Sequence, residues 1–242
     1  MNRYFLIICF LGYYYNGWQK QINTVNTIEN ILETKISFLL KSKINLVSCS
    51  RTDKGVNALS LYVHFDIKKK LNNDFLKKIN FLLPKFIYIK NFFLINNKIH
   101  ARYTVINRSY IYLILLKKNP FLYKKSIYIY KKINYKKLLL LSTIIKNNKK
   151  FYKFTNNNKN INCICNIQSI KWYIINNKIL IFYIKSNRFL KKMIRCIIGT
   201  ILKYSVNNIP LKHFFKIYYN NNLNFLNNIV PSYGLYLLNI KY

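Results

Sequence analysis

The chain holds only five acidic residues among 242, and one of them, Asp53, stands between cations in Ser50-Arg51-Thr52-Asp53-Lys54-Gly55-Val56. A carboxylate flanked by Arg51 and Lys54 stays ionised, because nearby positive charge favours the charged form. An ionised carboxylate suits a nucleophile rather than a proton donor, so the chemistry open to this loop is attack by Asp53 on an electrophilic carbon. The same residues have a plainer use. Thr-Asp-Lys-Gly is good turn chemistry, in which aspartate bonds its own backbone, and the loop by itself leaves both readings open.

Few other residues offer to assist. The three histidines are His64 on a strand, His100 before Ala101-Arg102 and His213 in a late helix, and none forms a recognisable catalytic pair with an acid or cysteine. All three read as structural. Cys163 and Cys165 form a C-x-C with no second pair at zinc-like spacing, so they read as small buried residues and no metal site is expected. No Ser/His/Asp set, phosphate-cradling glycine loop or carboxylate pair can be assembled. An enzyme built on this chain would therefore work with one carboxylate and no cofactor.

Forty-one Lys and Arg against five Asp and Glu give a formal charge of +36. Lysine, asparagine, isoleucine, tyrosine and phenylalanine crowd the sequence as AT-rich codons would make them, so part of that charge is compositional drift. The field still favours a polyanion, with nucleic acid as the leading partner class and an anionic membrane surface as its rival. Against this background the exceptions are informative. The five glycines fall where the backbone needs positive φ or close approach, and the six arginines, outnumbered by lysine, suggest planar bidentate tasks. Five cysteines form no regular framework, which suits a reducing cytoplasm. Tyr4 to Leu11 is too short to span a bilayer, and lysine or asparagine interrupts every other apolar run, so a soluble protein is expected.

The elements that must position these residues alternate. Tyr4–Leu11 reads as a strand, and Val25 to Leu39 recurs at helical spacing, with Asn26 and Glu29 as a capping box. Asn45–Cys49 and Leu59–Phe65 read as strands joined by the Asp53 loop, Asp74–Leu83 as a helix stopped by Pro84, and Phe86–Ile95 as a strand. Arg108–Leu116 is a period-two strand placing Arg108, Tyr110 and Tyr112 on one face. Tyr135–Ile145 reads as a helix, 147–162 as a loop, and Ile167–Ile174 with Ile179–Lys185 as a hairpin turning at Asn176-Asn177. Asn187–Lys203 is expected as a helix carrying Arg188, Lys191, Lys192, Arg195 and Gly199 opposite a broad apolar face. Leu211–Tyr218 and Leu235–Tyr242 close the chain as helix and strand. The fold class is α+β, with mixed or antiparallel sheets in two similar lobes, residues 1–103 and 104–242, flanking a basic cleft.

The order of these blocks resembles a known family. Arg51-Thr52-Asp53-Lys54-Gly55-Val56 is similar to the R-T-D-x-G-V loop of the A-type tRNA pseudouridine synthases, and Gly12 to Gly17-Trp18-Gln19 to their D-G-x-x-x-x-G-W-Q segment. Leu61–Asp66, His100-Ala101-Arg102, Arg108–Tyr112, Phe189–Arg195 with Gly199, and Pro231–Leu237 match further blocks in order along nearly the whole chain. The resemblance implies an isomerase that breaks the N-glycosidic bond of a tRNA uridine, turns the base and rejoins it through C5. Asp53 would be the nucleophile, attacking C1′ or acting in a glycal route. Arg195 would hold Asp53 ionised, Arg51 would enter the RNA stack as the base flips out, and Tyr110 would stack on the uracil. Arg108, Arg188, Lys191 and Lys192 would contact RNA. A homodimer acting at positions 38 to 40 of the anticodon arm is implied too. The chain departs from the pattern at Leu11, Ser50, Asn57, Lys191-Lys192 and Asn166. A non-catalytic RNA-binding protein that keeps the fold is the alternative.

Overall fold

A computed structural model of the chain describes residues 1–155, 162–207, 209–220 and 224–242. Its elements run β1 (Asn2–Phe10), α1 (Ile28–Leu40), β2 (Val47–Ser48), β3 (Asn57–Ile67), α2 (Asp74–Leu82), β4 (Ile87–Ile95), β5 (Asn107–Leu115), β6 (Ile127–Tyr128), α3 (Tyr135–Lys146), β7 (Ile167–Ile175), β8 (Ile179–Ser186), α4 (Met193–Val206), α5 (Leu211–Tyr219) and β9 (Leu235–Lys241). The fold is α+β, with antiparallel pairs β1–β3, β1–β4, β2–β3 and β7–β8 and parallel pairs β3–β9 and β5–β6. The chain forms two compact units, Met1–Arg108 with Tyr236–Tyr242, and Ser109–Leu235.

In the first unit the strands lie in the order β4-β1-β3-β9. β1 is rich in aromatic and β-branched residues, which fit a pleated surface, and both of its edges are paired. Phe5, Leu6 and Ile8 of β1 are buried with Leu61, Val63 and Phe65 of β3, while Ile28, Leu32 and Ile36 line the buried side of α1. Each such side chain withdrawn from water contributes roughly 1.5–3 kcal/mol. Arg3 makes the bidentate pair foreseen for a retained arginine, with Nε and Nη2 donating to the Asp66 carboxylate at 2.8 and 2.7 Å. That guanidinium holds the Asp66 carboxyl below the usual carboxylate range.

The cap of α1 differs from the sequence expectation. Thr27, not Asn26, accepts from the N–H of Asn30 at 3.4 Å, because Asn26 and Glu29 have other partners. Asn26 Nδ2 donates to the Tyr14 carbonyl at 2.9 Å, and the Glu29 carboxylate accepts from the N–H of Lys20 at 2.8 Å. The strand before the Asp53 loop is also shorter than expected, only Val47–Ser48.

In the second unit β5, β8 and β7 are neighbours in that order. The β7–β8 hairpin turns where the sequence places it: Asn176 and Asn177 take φ of 48° and 52°, the two left-handed residues of a type I′ turn. The longest helix, α4, begins six residues later than its apolar pattern suggests. The Asn187 side chain explains the delay, since its Oδ1 accepts from the N–H groups of Arg188 and Asn166 at 2.9 and 2.8 Å. This local bonding competes with the helix. Lys192 then enters α4 in the left-handed region at φ 60°. Residues 187–192 are therefore a connector, and Arg188, Lys191 and Lys192 do not share a helical face with Arg195. The loop expected across 147–162 contains a short 3-10 turn at Tyr152–Phe154, and residues 156–161 of it lie outside the described residues.

Candidate active site

Asp53 sits in the loop between β2 and β3, at the end of an antiparallel pair whose register is Val47 with His64 and Ser48 with Val63. The loop closes on itself as the Val56 N–H donates to the Asp53 carbonyl at 3.1 Å. Gly55 supplies the φ of 80° that this turn requires, a conformation that strains any residue with a Cβ. Arg51 and Lys54 are exposed and Asp53 is half-buried between them in the chain.

The segment Gly12–Trp18 clamps the loop from behind. A Cβ on Gly12 would stand 1.9 Å from the Val56 carbonyl oxygen, and one on Gly17 would stand 2.8 Å from the Thr52 oxygen and 3.1 Å from the Lys54 nitrogen. Only glycine permits this approach of backbone to backbone. The N–H of Trp18 donates to the Thr52 carbonyl at 3.1 Å, and the N–H of Gly12 donates to Asn57 Oδ1 at 2.8 Å in a buried position. Asn57, one of the departures from the resembled pattern, thus supports the clamp directly. Leu11, another, donates its N–H to the Phe86 carbonyl at 3.1 Å.

The other end of the loop is held by Arg108, whose Nη2 donates to the Cys49 carbonyl at 2.9 Å. Cys49 is buried, and burial pushes its thiol up to about 11. It is packing, not a second nucleophile. Sequence reasoning placed Arg108 toward RNA and missed this support of the loop; nothing in the local spacing pairs β5 with Cys49. His64 serves the unit structurally, as its Nδ1 accepts from the N–H of Ala101 at 3.1 Å and burial lowers its pKa to about 4.

The second unit carries the other candidates. Tyr110 on β5 is buried, and its ring meets Phe189 edge-on at 5.3 Å and 87°. Arg195 lies in the first turn of α4, half-buried, with Nε donating to the Val230 carbonyl at 2.8 Å. The Val230 N–H returns a bond to the Arg195 carbonyl at 3.3 Å. Tyr112, two residues beyond Tyr110, is fully buried and donates to the Pro231 carbonyl at 2.8 Å. Burial raises its phenol well above the usual range. The segments 110–112, 189–195 and 230–231, distant in sequence, therefore interlock. Lys191 is exposed and Arg188 half-buried in the connector before α4, where the Lys191 carbonyl accepts from Thr155 Oγ1 at 3.0 Å.

The family model described as tRNA pseudouridine synthase matches residues 148–242. A tRNA pseudouridine synthase A of Azobacteroides pseudotrichonymphae genomovar. CFP2 is 32% identical over 244 residues, covering 100% of this chain and 97% of that protein. The chain belongs to the tRNA pseudouridine synthase A family. The tRNA pseudouridine synthase A of Hydrogenobaculum sp. (strain Y04AAS1) is 31% identical, and tRNA pseudouridine synthase A 2 of Bacillus cereus (strain ZK / E33L) 30% identical, each covering 100% of both chains.

Members of this family are isomerases acting in tRNA processing, and the chain is a tRNA pseudouridine synthase on that evidence. Among the described residues no helix is long and apolar enough to cross a membrane, and no group of three His, Cys, Asp or Glu is placed to hold a metal ion. The remaining departures from the resembled pattern are structurally occupied in this family member. The Ser50 carbonyl accepts from Ser48 Oγ at 3.1 Å, and Asn166 exchanges bonds with Ser186 and Asn187.

Proposed function

We propose that the protein converts uridine to pseudouridine in the anticodon arm of tRNA, at positions 38 to 40, with Asp53 as the nucleophile. The observation that carries this reading is the Asp53 loop itself. Its backbone is fixed by Gly12, Gly17, Trp18 and Arg108, while Asp53 is half-buried between the exposed residues Arg51 and Lys54 in the chain. Such rigidity suits a nucleophile that must meet one carbon in one orientation.

In this reaction the N1–C1′ bond of uridine breaks, the base turns, and a C5–C1′ bond forms. The proton on C5 is lost and N1 gains one, so atoms balance as an isomerisation without cofactor. Asp53 either adds to C1′ or takes a proton from the sugar in a glycal route. Arg195 serves as the cationic partner of Asp53 in the reaction. Tyr110 stacks on the flipped uracil, and Arg51 fills the gap left in the RNA stack, because a base inside a stem cannot otherwise be reached. Arg188, Lys191 and Lys192 contact the RNA backbone. The enzyme works as a homodimer in the cytoplasm, in keeping with five free cysteines.

The test is pseudouridine formation in cognate tRNA transcripts, mapped by mass, with wild type and Asp53→Asn. Wild type is expected to modify the anticodon arm and the variant to leave uridine unchanged while still binding tRNA. Binding without modification by wild type would instead establish a non-catalytic RNA-binding protein. Equal activity in Asp53→Asn would remove Asp53 from the chemistry.

A further inference from the structure

The clamp that fixes the Asp53 loop also carries an aromatic cluster that this chemistry leaves unused. Between its two anchoring glycines the segment arches outward through Tyr13 and Tyr14, which form a 3-10 turn with Gly12. The Tyr14 ring lies flat on Phe86, with centroids 3.9 Å apart and planes 6° from parallel. Tyr13 stands perpendicular to Tyr14 at 5.3 Å, and Lys85 places its ammonium 4.9 Å from the Phe86 centroid. Tyr14 is 50% exposed, Tyr13 36%, and Lys85 is exposed as well.

Two features separate this cluster from the exposed aromatics scattered elsewhere. The first is its rigid tie to the nucleophile loop. Tyr14 is two residues from Gly12 and three from Gly17, and both glycines touch the backbone of residues 52–56. A chain extends at most ~3.6 Å per residue, which keeps the Tyr14 backbone within about 7 Å of the Gly12 contact. Two anchors beyond the glycines hold the arch in place. The Tyr14 carbonyl accepts from Asn26 Nδ2, and the Phe86 carbonyl accepts from Leu11. The second feature is charge. Lys85 lies against the Phe86 ring, and Lys54 and Arg51 are further exposed cations on the same unit; aromatic side chains in positively charged surroundings are what single-stranded nucleic acid binds.

We infer that Tyr14 and Phe86, with Tyr13 and Lys85, form a stacking platform for the base of an unpaired nucleotide flanking the target uridine. This rests on the proposed tRNA reaction and extends it, since extrusion of the target requires its neighbour to be held while the stack is open. The base lies against the exposed side of the Tyr14 cluster, and Lys85 meets the adjoining phosphate. Tyr14 is a positioning residue here; it touches a neighbouring nucleotide and not the reacting atoms.

The experiment uses tRNA transcripts carrying 2-aminopurine at each nucleotide beside the modified uridine, with full-length wild type, Tyr14→Ala, Tyr14→Phe and Lys85→Gln. Wild type is expected to quench the fluorophore at one flanking position. Tyr14→Ala should lose that quenching and bind tRNA about tenfold more weakly, the range of one lost stacking contact, with the loss falling more on KM than on kcat. Tyr14→Phe should restore both, because the ring and not the hydroxyl is used. Quenching and affinity unchanged in Tyr14→Ala would overturn the platform, as would equal losses in Tyr14→Phe. Lys85→Gln should weaken binding and flatten its salt dependence, and an unaltered salt slope would remove Lys85 from the site. If wild type quenches the probe but forms no pseudouridine, the proposed reaction fails while base stacking stands.

Discussion

Replacing Gly199 by alanine sets two effects of opposite sign against each other. Gly199 lies in the interior of α4, where alanine is favoured over glycine by about 1 kcal/mol. Helix propensity alone therefore expects Gly199→Ala to stabilise the protein. The neighbourhood decides otherwise. A Cβ at this position would stand 1.5 Å from the carbonyl oxygen of Asn228 and 2.7 Å from its carbon, so the 228–230 backbone must retreat by about 2 Å to reach ordinary contact. That segment is tied to α4 by Arg195 Nε to the Val230 oxygen at 2.8 Å, Val230 N to the Arg195 oxygen at 3.3 Å and Lys203 Nζ to Asn228 Oδ1 at 3.1 Å. Losing two or three such bonds at ~1 kcal/mol each, with overpacking of about 1–3 kcal/mol, exceeds the propensity gain. The net expectation is a destabilisation of about 2–5 kcal/mol. Urea unfolding should show a lower midpoint with an unchanged slope. Pseudouridine formation under conditions where the variant remains folded should also fall, since the Arg195 guanidinium loses its Val230 anchor. A variant as stable as wild type, or more so, would refute the steric reading.

Two further outcomes concern stability. His64 is 2% exposed and its pKa is lowered to about 4 by burial, then by Arg3 and His100. The unfolded chain therefore binds a proton that the folded chain excludes: stability from this group is complete above pH ~6.5 and declines as pH falls toward 4, by about 2 kcal/mol after allowance for solvent screening. Urea midpoints of wild type and His64→Gln, which keeps an acceptor toward Ala101, should converge in slope at neutral pH and diverge below pH 6; parallel pH profiles would contradict this. Lys153, 5% exposed, donates to the carbonyls of Ile217, Tyr218 and Asn220 at the end of α5. Lys153→Met leaves these acceptors unpaired at a helix terminus that favours a cation, so a loss of ~2–3 kcal/mol is expected in thermal or urea unfolding. A change within experimental error would show that the carbonyls find other partners.

The sequence by itself determined the α+β class and most of the elements, because those follow from local periodicity. β1, β3, β4, β5, α2, α3 and the Asn176-Asn177 hairpin stand within a residue or two of where their apolar patterns place them. It also drew attention to Asp53 and to the family whose full-length members the chain resembles, since a scarce acid and scarce glycines are conspicuous in a lysine- and asparagine-rich chain. Where it erred, the cause was a side chain with more than one partner to choose from. Asn187 captures two backbone N–H groups and delays α4, and Asn26 bonds to Tyr14 and leaves the cap to Thr27. Only the tertiary structure showed what the glycines approach, that Arg108 secures Cys49, and that Arg195 is held by Val230. The Arg108–Cys49 and Arg195–Val230 bonds join residues 59 and 35 positions apart. No local spacing encodes them, because their partners are backbone carbonyls, which every residue carries and which only the packing of distant segments can select.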